Sequence, residues 1–182
     1  NMEINYQTII NFLVSKNTFS NRPNIVKTAN TFDYFKDIFD NTFYRYGVYL
    51  KDSNNNNISL INSILYCIDN NNFSKTEDQI KKIINDFINK LYKHTNDNDE
   101  FDNIIKENRN NIFKEKNYDN PFLLEIICNY LKINLFIFDF KDDVINSVYY
   151  NDFYNPWRPN IFLAKYDSFW EPIVTQDKNL FN

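Results

Sequence analysis

A single glycine, Gly47, stands in 182 residues, with five prolines, one histidine and two cysteines. Each shortage removes a class of structure or chemistry. One glycine cannot build the Gly-rich loops that cradle phosphates, and tight turns must lean on Asn and Asp, which tolerate left-handed backbone. With His94 alone and the cysteines far apart at Cys67 and Cys128, no Cys/His cluster can bind zinc. Both cysteines fall within apolar helical patterns, which suits buried free thiols in a reducing compartment and not a disulfide framework. No apolar run approaches the ~20 residues that cross a bilayer. The N-terminus has no signal-peptide layout, so the expected location is intracellular: the cytoplasm, of a host cell if the source is viral. Asn1-Met2 reads as a residual tag residue ahead of a native Met.

A strong charge of one sign is also missing. The net charge of -4 comes from interspersed acids and bases, which argues against a dedicated nucleic-acid surface. Lys81-Lys82 and Lys114 with Lys116 sit among acids and read as solvated helix faces. The acidic groups Asp97-Asn98-Asp99-Glu100 and Asp139 with Asp142-Asp143 lack a calcium-loop pattern and its glycine, so they read as solvated turns. No metal or cofactor is expected.

What the chain does contain is apolar mass. Hydrophobic residues make up 43% and aromatic residues 18%, enough for one domain that buries roughly 70% of its unfolded surface. The excess of Asn, Lys, Ile, Tyr and Phe is what an AT-rich genome encodes, pointing to a virus, parasite or endosymbiont.

Residues 4–14 suggest a short helix or strand. Residues 31–44 repeat Phe32, Phe35, Ile38, Phe39 and Phe43 at helical steps, and residues 46–50 suggest a short strand. Residues 52–57 form a polar loop. Ser59–Ile68 is a helix apolar on both sides, hence central in a core. Residues 77–92 carry one amphipathic stripe, broken by the polar run 93–100, and Phe101, Ile104, Ile105 and Ile112 suggest another short helix. Asn120-Pro121 is a helix start, with Asn as N-cap and Pro at the first helical position. Strands follow at 133–140, 144–150 and 160–165, and a fourth begins near Trp170. Helices in the first two thirds and a small, mostly antiparallel sheet in the last third indicate an α+β fold. A single domain covers 1–182, with a helical part at 1–45 and a core at 46–174.

The order of these elements is specific: polar loop, buried helix, helical insert, helix, strand, hairpin, then Pro159-Asn160-Ile161-Phe162-Leu163 and Tyr166-Asp167-Ser168-Phe169-Trp170-Glu171-Pro172-Ile173. This order resembles the ovarian-tumour (OTU) family of papain-like cysteine deubiquitinases, over 56–68, 120–140 and 159–174. The resemblance implies a nucleophilic Cys at the start of the buried helix, where the helix dipole favours a thiolate. It implies a loop ahead of it that supplies amides to the oxyanion, and a general-base His near the C-terminus. Ser59 falls on the Cys, Phe169 on the His, and Asn56 on the Asp that usually opens the motif. Both halves of the dyad are therefore replaced, and the resemblance implies a degenerate, catalytically inactive scaffold acting as a protein-interaction module, with ubiquitin as a candidate partner.

Rival readings stay open. Ser59 as a serine nucleophile needs an adjacent base, and His94 lies in a polar stretch better read as solvated. Cys67 and Cys128 sit inside helices, where apolar neighbours raise thiol pKa values. Ser59 as an engineered replacement of a native Cys in an active protease would still leave the His missing. A structural or assembly protein on the same scaffold is a further class. Tyr149, Tyr150, Phe153, Tyr154, Trp157 and Trp170 form an aromatic group; with Arg158, the residues Tyr154, Trp157 and Trp170 make a candidate binding surface, since Trp, Tyr and Arg are enriched in interaction hot spots.

Overall fold

The computed structural model describes residues 24–27, 43–97, 101–139, 141–142, 144–149 and 153–175. Six strands and four α-helices fall within them: β1 (Asn24–Lys27), β2 (Phe43–Gly47), α1 (Ser59–Ile68), α2 (Glu77–Asp97), α3 (Asn103–Phe113), α4 (Phe122–Leu131), β3 (Asn134–Asp139), β4 (Val144–Val148), β5 (Asn160–Tyr166) and β6 (Phe169–Thr175). A 3-10 turn at Asn70–Ser74 links α1 to α2. The architecture is α+β: four helices precede the four-strand mixed unit β3–β6, where β3 and β5 run parallel and the other pairs antiparallel.

The sheet is larger than the sequence pattern predicts. Its order is β1-β2-β6-β5-β3-β4, so two N-terminal strands extend it past β6. The expectation of a helical first two thirds on a small C-terminal sheet needs that correction. Phe43 and Tyr44, expected to end a helix, lie in β2 and pair with Thr175 and Val174. Phe43-Tyr44-Arg45-Tyr46 alternates poorly, and its pairing with β1 on one side and β6 on the other fixes it as a strand. The strand expected at 46–50 runs earlier, over Phe43–Gly47. The expected element at 4–14, and most of the helix expected at 31–44, lie outside the described residues.

Other elements fall where their residues place them. In α1, nine of ten residues are buried, as a helix apolar on both sides must be. It packs on β6 and β5, α2 packs against α1, α3 and α4, and α4 lies along β4. The core joins Leu60, Ile61, Ile64 and Leu65 of α1 to Leu123, Ile126 and Ile127 of α4 and to Leu135, Ile161 and Leu163 of the sheet. At the start of α4, Asn120 acts as the cap, accepting at Oδ1 from the Phe122 N–H at 3.0 Å.

The polar run after residue 92 does not end α2, which continues to Asp97. Its buried stripe, Ile80, Ile84, Phe87, Leu91 and Thr95, keeps helical spacing. Thr95 hides its hydroxyl by donating to the Leu91 carbonyl at 2.7 Å. The scarcity of glycine leaves Asn55, Lys116, Lys132 and Asp167 in left-handed backbone. Asn and Asp tolerate that state, whereas the two lysines occupy turns after α3 and α4, where Gly is the usual residue.

Candidate functional site

Ser59 opens α1 and is wholly buried. Its position is set by Asn57, whose Oδ1 accepts from the Ser59 N–H at 3.0 Å and from the Ser59 hydroxyl at 2.7 Å. One amide oxygen thus takes both the first helical N–H and the serine hydroxyl. The Asn57 Nδ2 donates to the Ser168 carbonyl and, at 3.3 Å, to Asp119 Oδ2. From β6, the Trp170 backbone N–H donates to Ser59 Oγ at 3.1 Å. Residues 111 positions apart therefore meet at the helix start.

The Ser59 oxygen donates to an amide and accepts from an amide. No acid or base among the described residues stands within hydrogen-bond distance of it. Asn57 bridges serine and carboxylate, but a carboxamide takes no proton at neutral pH, so this chain of groups cannot activate Ser59 as a Ser–His–Asp arrangement would. Asp119 is half-buried, and burial raises its carboxyl above the usual Asp value, against the lowering effects of the Asn57 hydrogen bond and nearby Lys165.

Asn56 turns away from this centre. Its N–H and Nδ2 donate to Asp52 Oδ1 and Oδ2 at 2.9 and 3.0 Å, which closes the 52–57 loop on itself. The side chain that the helix start uses is Asn57, which the sequence pattern does not single out; the signal is its place just ahead of a helix whose N-cap, Ile58, has no side-chain acceptor. Phe169 opens β6 and is partly exposed, and its neighbour Trp170 supplies the N–H.

His94 belongs to another neighbourhood. Its Nε2 lies 2.6 Å from Asn129 Oδ1, and its ring packs against Phe101 and Tyr130, tying α2 to α4. It is a packed helix residue, not a solvated one. Cys67 and Cys128 are buried, and burial pushes the Cys67 thiol well up and the Cys128 thiol up to about 12. Burial thus disfavours the thiolate form of both at neutral pH. Among the described residues no group of His, Cys, Asp and Glu converges as a metal site, and no helix is long and apolar enough to cross a membrane.

The aromatic group divides in two. Trp170 is buried at the core, with Lys165 Nζ 5.2 Å from its ring centroid. Tyr154 and Trp157 are exposed, with Phe153 beside them, and Trp157 reaches 93% exposure. Trp157 stands out because Asn155-Pro156-Trp157-Arg158 is a turn, closed by the Arg158 N–H on the Asn155 carbonyl at 3.1 Å. Asn and Pro favour its first two positions. The fully buried Asn134 clamps its base, donating from Nδ2 to the Asn155 carbonyl at 2.8 Å and to Asn160 Oδ1 at 3.0 Å. Tyr154 packs edge-on against Tyr149 and Phe136. Of the four expected binding residues, Tyr154, Trp157 and Arg158 share this loop and Trp170 lies apart from it.

No protein-family model, curated protein or solved structure matches the chain.

Proposed function

We propose that this domain is an OTU-like, papain-like scaffold without catalysis that works as a protein-interaction module, with ubiquitin as the first partner to try. The carrying observation is the helix start. A buried apolar helix begins at Ser59, and the strand start at Phe169-Trp170 packs on it, the two places where the resemblance would put a nucleophile and its base. Ser59 and Phe169 occupy them, both neutral, and the backbone N–H of Trp170, next to Phe169, donates to Ser59 Oγ. A buried serine that donates its hydroxyl to an amide oxygen, with no base beside it among the described residues, supports the inactive reading.

The interaction half of the reading draws on the 155–158 turn. An exposed Trp on a turn clamped from below loses little conformational entropy when a partner covers it.

The test is to titrate ubiquitin into the protein and, in parallel, to incubate the protein with linked ubiquitin chains and follow cleavage on a gel. Binding without cleavage is the expected result. Cleavage would overturn the inactive-scaffold reading. Absence of both would remove ubiquitin and favour the structural or assembly role.

A further inference from the structure

The sheet has two edges, and the chain treats them differently. β1 at one edge is preceded in sequence by Pro23 and ends on Lys27, residue types that discourage a further strand from pairing. β4 at the other edge, Val144-Ile145-Asn146-Ser147-Val148, contains no Pro, Lys, Arg, Asp or Glu. It pairs residue for residue with β3 from Val144↔Asp139 to Val148↔Leu135, so no bulge twists it away. Among the described residues no strand lies beyond it. Four of its five residues are exposed, including the apolar Val144 and Ile145. An uncharged edge strand with exposed apolar side chains, and no strand beyond it among the described residues, is a pairing template.

The geometry points to a second copy of this chain as the occupant: two β4 strands pair antiparallel about a two-fold axis through Asn146, joining two sheets edge to edge. Read in reverse, β4 keeps Val at both ends and Asn at the centre and exchanges Ile145 with Ser147. In that register Val144 of one copy lies opposite Val148 of the other, Ile145 opposite Ser147, and Asn146 opposite itself. No charged residue of the strand opposes a like charge, and the central amides can hydrogen-bond to each other across the axis.

The flanking surface fits the same register. A groove of about 450 Å³ runs between the strand edge and the start of α4, lined by Pro121, Leu124, Glu125, Ser147, Val148 and Tyr149. Strand alternation puts Val144 and Val148 on the helix side of the sheet, because their partners on β3, Asp139 and Leu135, are buried there. The uncovered Val144 of one copy therefore arrives beside Val148, Leu124 and Pro121 of the other. On the opposite face, Ile145 extends the stacked rings of Phe136, Phe138 and Phe162. This inference is independent of how Ser59 is read.

A five-residue ladder is a small interface, so the dimer should be weak and dependent on concentration, with sedimentation followed from about 1 to about 500 µM. Two variants at one exposed position test the axis itself. Asn146→Lys and Asn146→Asp each put like charges face to face, and each should weaken dimerisation at least tenfold while leaving the thermal transition unchanged. Mixing the two puts Lys opposite Asp and should restore a dimer, now a mixed one. A wild-type protein that stays monomeric over the whole range would overturn the proposal. So would a dimer indifferent to both variants, or one that the mixture fails to restore, because its contact would then lie elsewhere.

Discussion

The helix start at Ser59 and the turn at Trp157 both attract attention in the sequence, yet the fold handles them in opposite ways. Around Ser59, every hydrogen bond closes on another part of the chain: Asn57 takes the hydroxyl, Trp170 gives its N–H, and Ser168 accepts from Asn57. At Trp157 the hydrogen bonds secure only the base of the turn, and the indole is left in solvent. Polar satisfaction inward marks a group that holds the fold together. A large apolar ring on a rigid support, facing water, marks a surface that something else can cover.

That contrast breaks most readily at Asn57. Asn57→Ala removes the acceptor of both Ser59 donors and the tie to Ser168, and thermal unfolding should show a loss of about 2–3 kcal/mol, roughly 5–10 °C. A change below about 0.5 kcal/mol would mean that the network is ornamental and the helix start is free to serve another purpose.

Ser59→Ala comes next. It leaves the buried Trp170 N–H without that acceptor, and should cost about 1–2 kcal/mol by denaturant titration. If Ser59→Ala left stability untouched but abolished a hydrolytic activity, Ser59 would have to be read as a catalyst.

Asp119 gives a smaller effect of opposite sign. Burial raises its pKa in the folded state, so the fold favours the protonated form. Its contribution to stability is fully present below the ordinary Asp value and is lost as pH rises through the higher folded value. Asp119→Asn, which keeps a neutral group there, should stabilise the protein at pH 7 by under about 1 kcal/mol, since a half-buried group remains partly solvated. It should also flatten the melting-temperature profile in the acid range. A destabilised variant at pH 7 would show that the Asp119 charge is needed by Asn57.

Trp157→Ala should do least to the fold, shifting stability by less than about 0.5 kcal/mol, and most to a partner. A collapse in melting temperature would make Trp157 a core residue and dissolve the contrast.

Much of the fold was legible because its signals are local. Ser59–Ile68, the Asn120-Pro121 start and the four C-terminal strands carry apolar periodicity, a capping residue or a turn sequence within a few positions. The end of α2 was not legible, because Lys93-His94-Thr95-Asn96 is polar and only packing on α4 and Phe101 gives His94 a place. β2 was hidden for the same reason, since its strand character comes from pairing with β1 and with β6, the latter more than a hundred residues away.

By itself, the sequence determined that this is an α+β chain with a buried helix at Ser59 and an aromatic loop near Trp157, since both follow from residue type and spacing. Which of the two faces outward was decided by tertiary structure alone. Burial and hydrogen-bond closure depend on residues brought together across the chain, and no local pattern reports that Trp170 would be covered, Trp157 bare, and Ser59 held by Asn57.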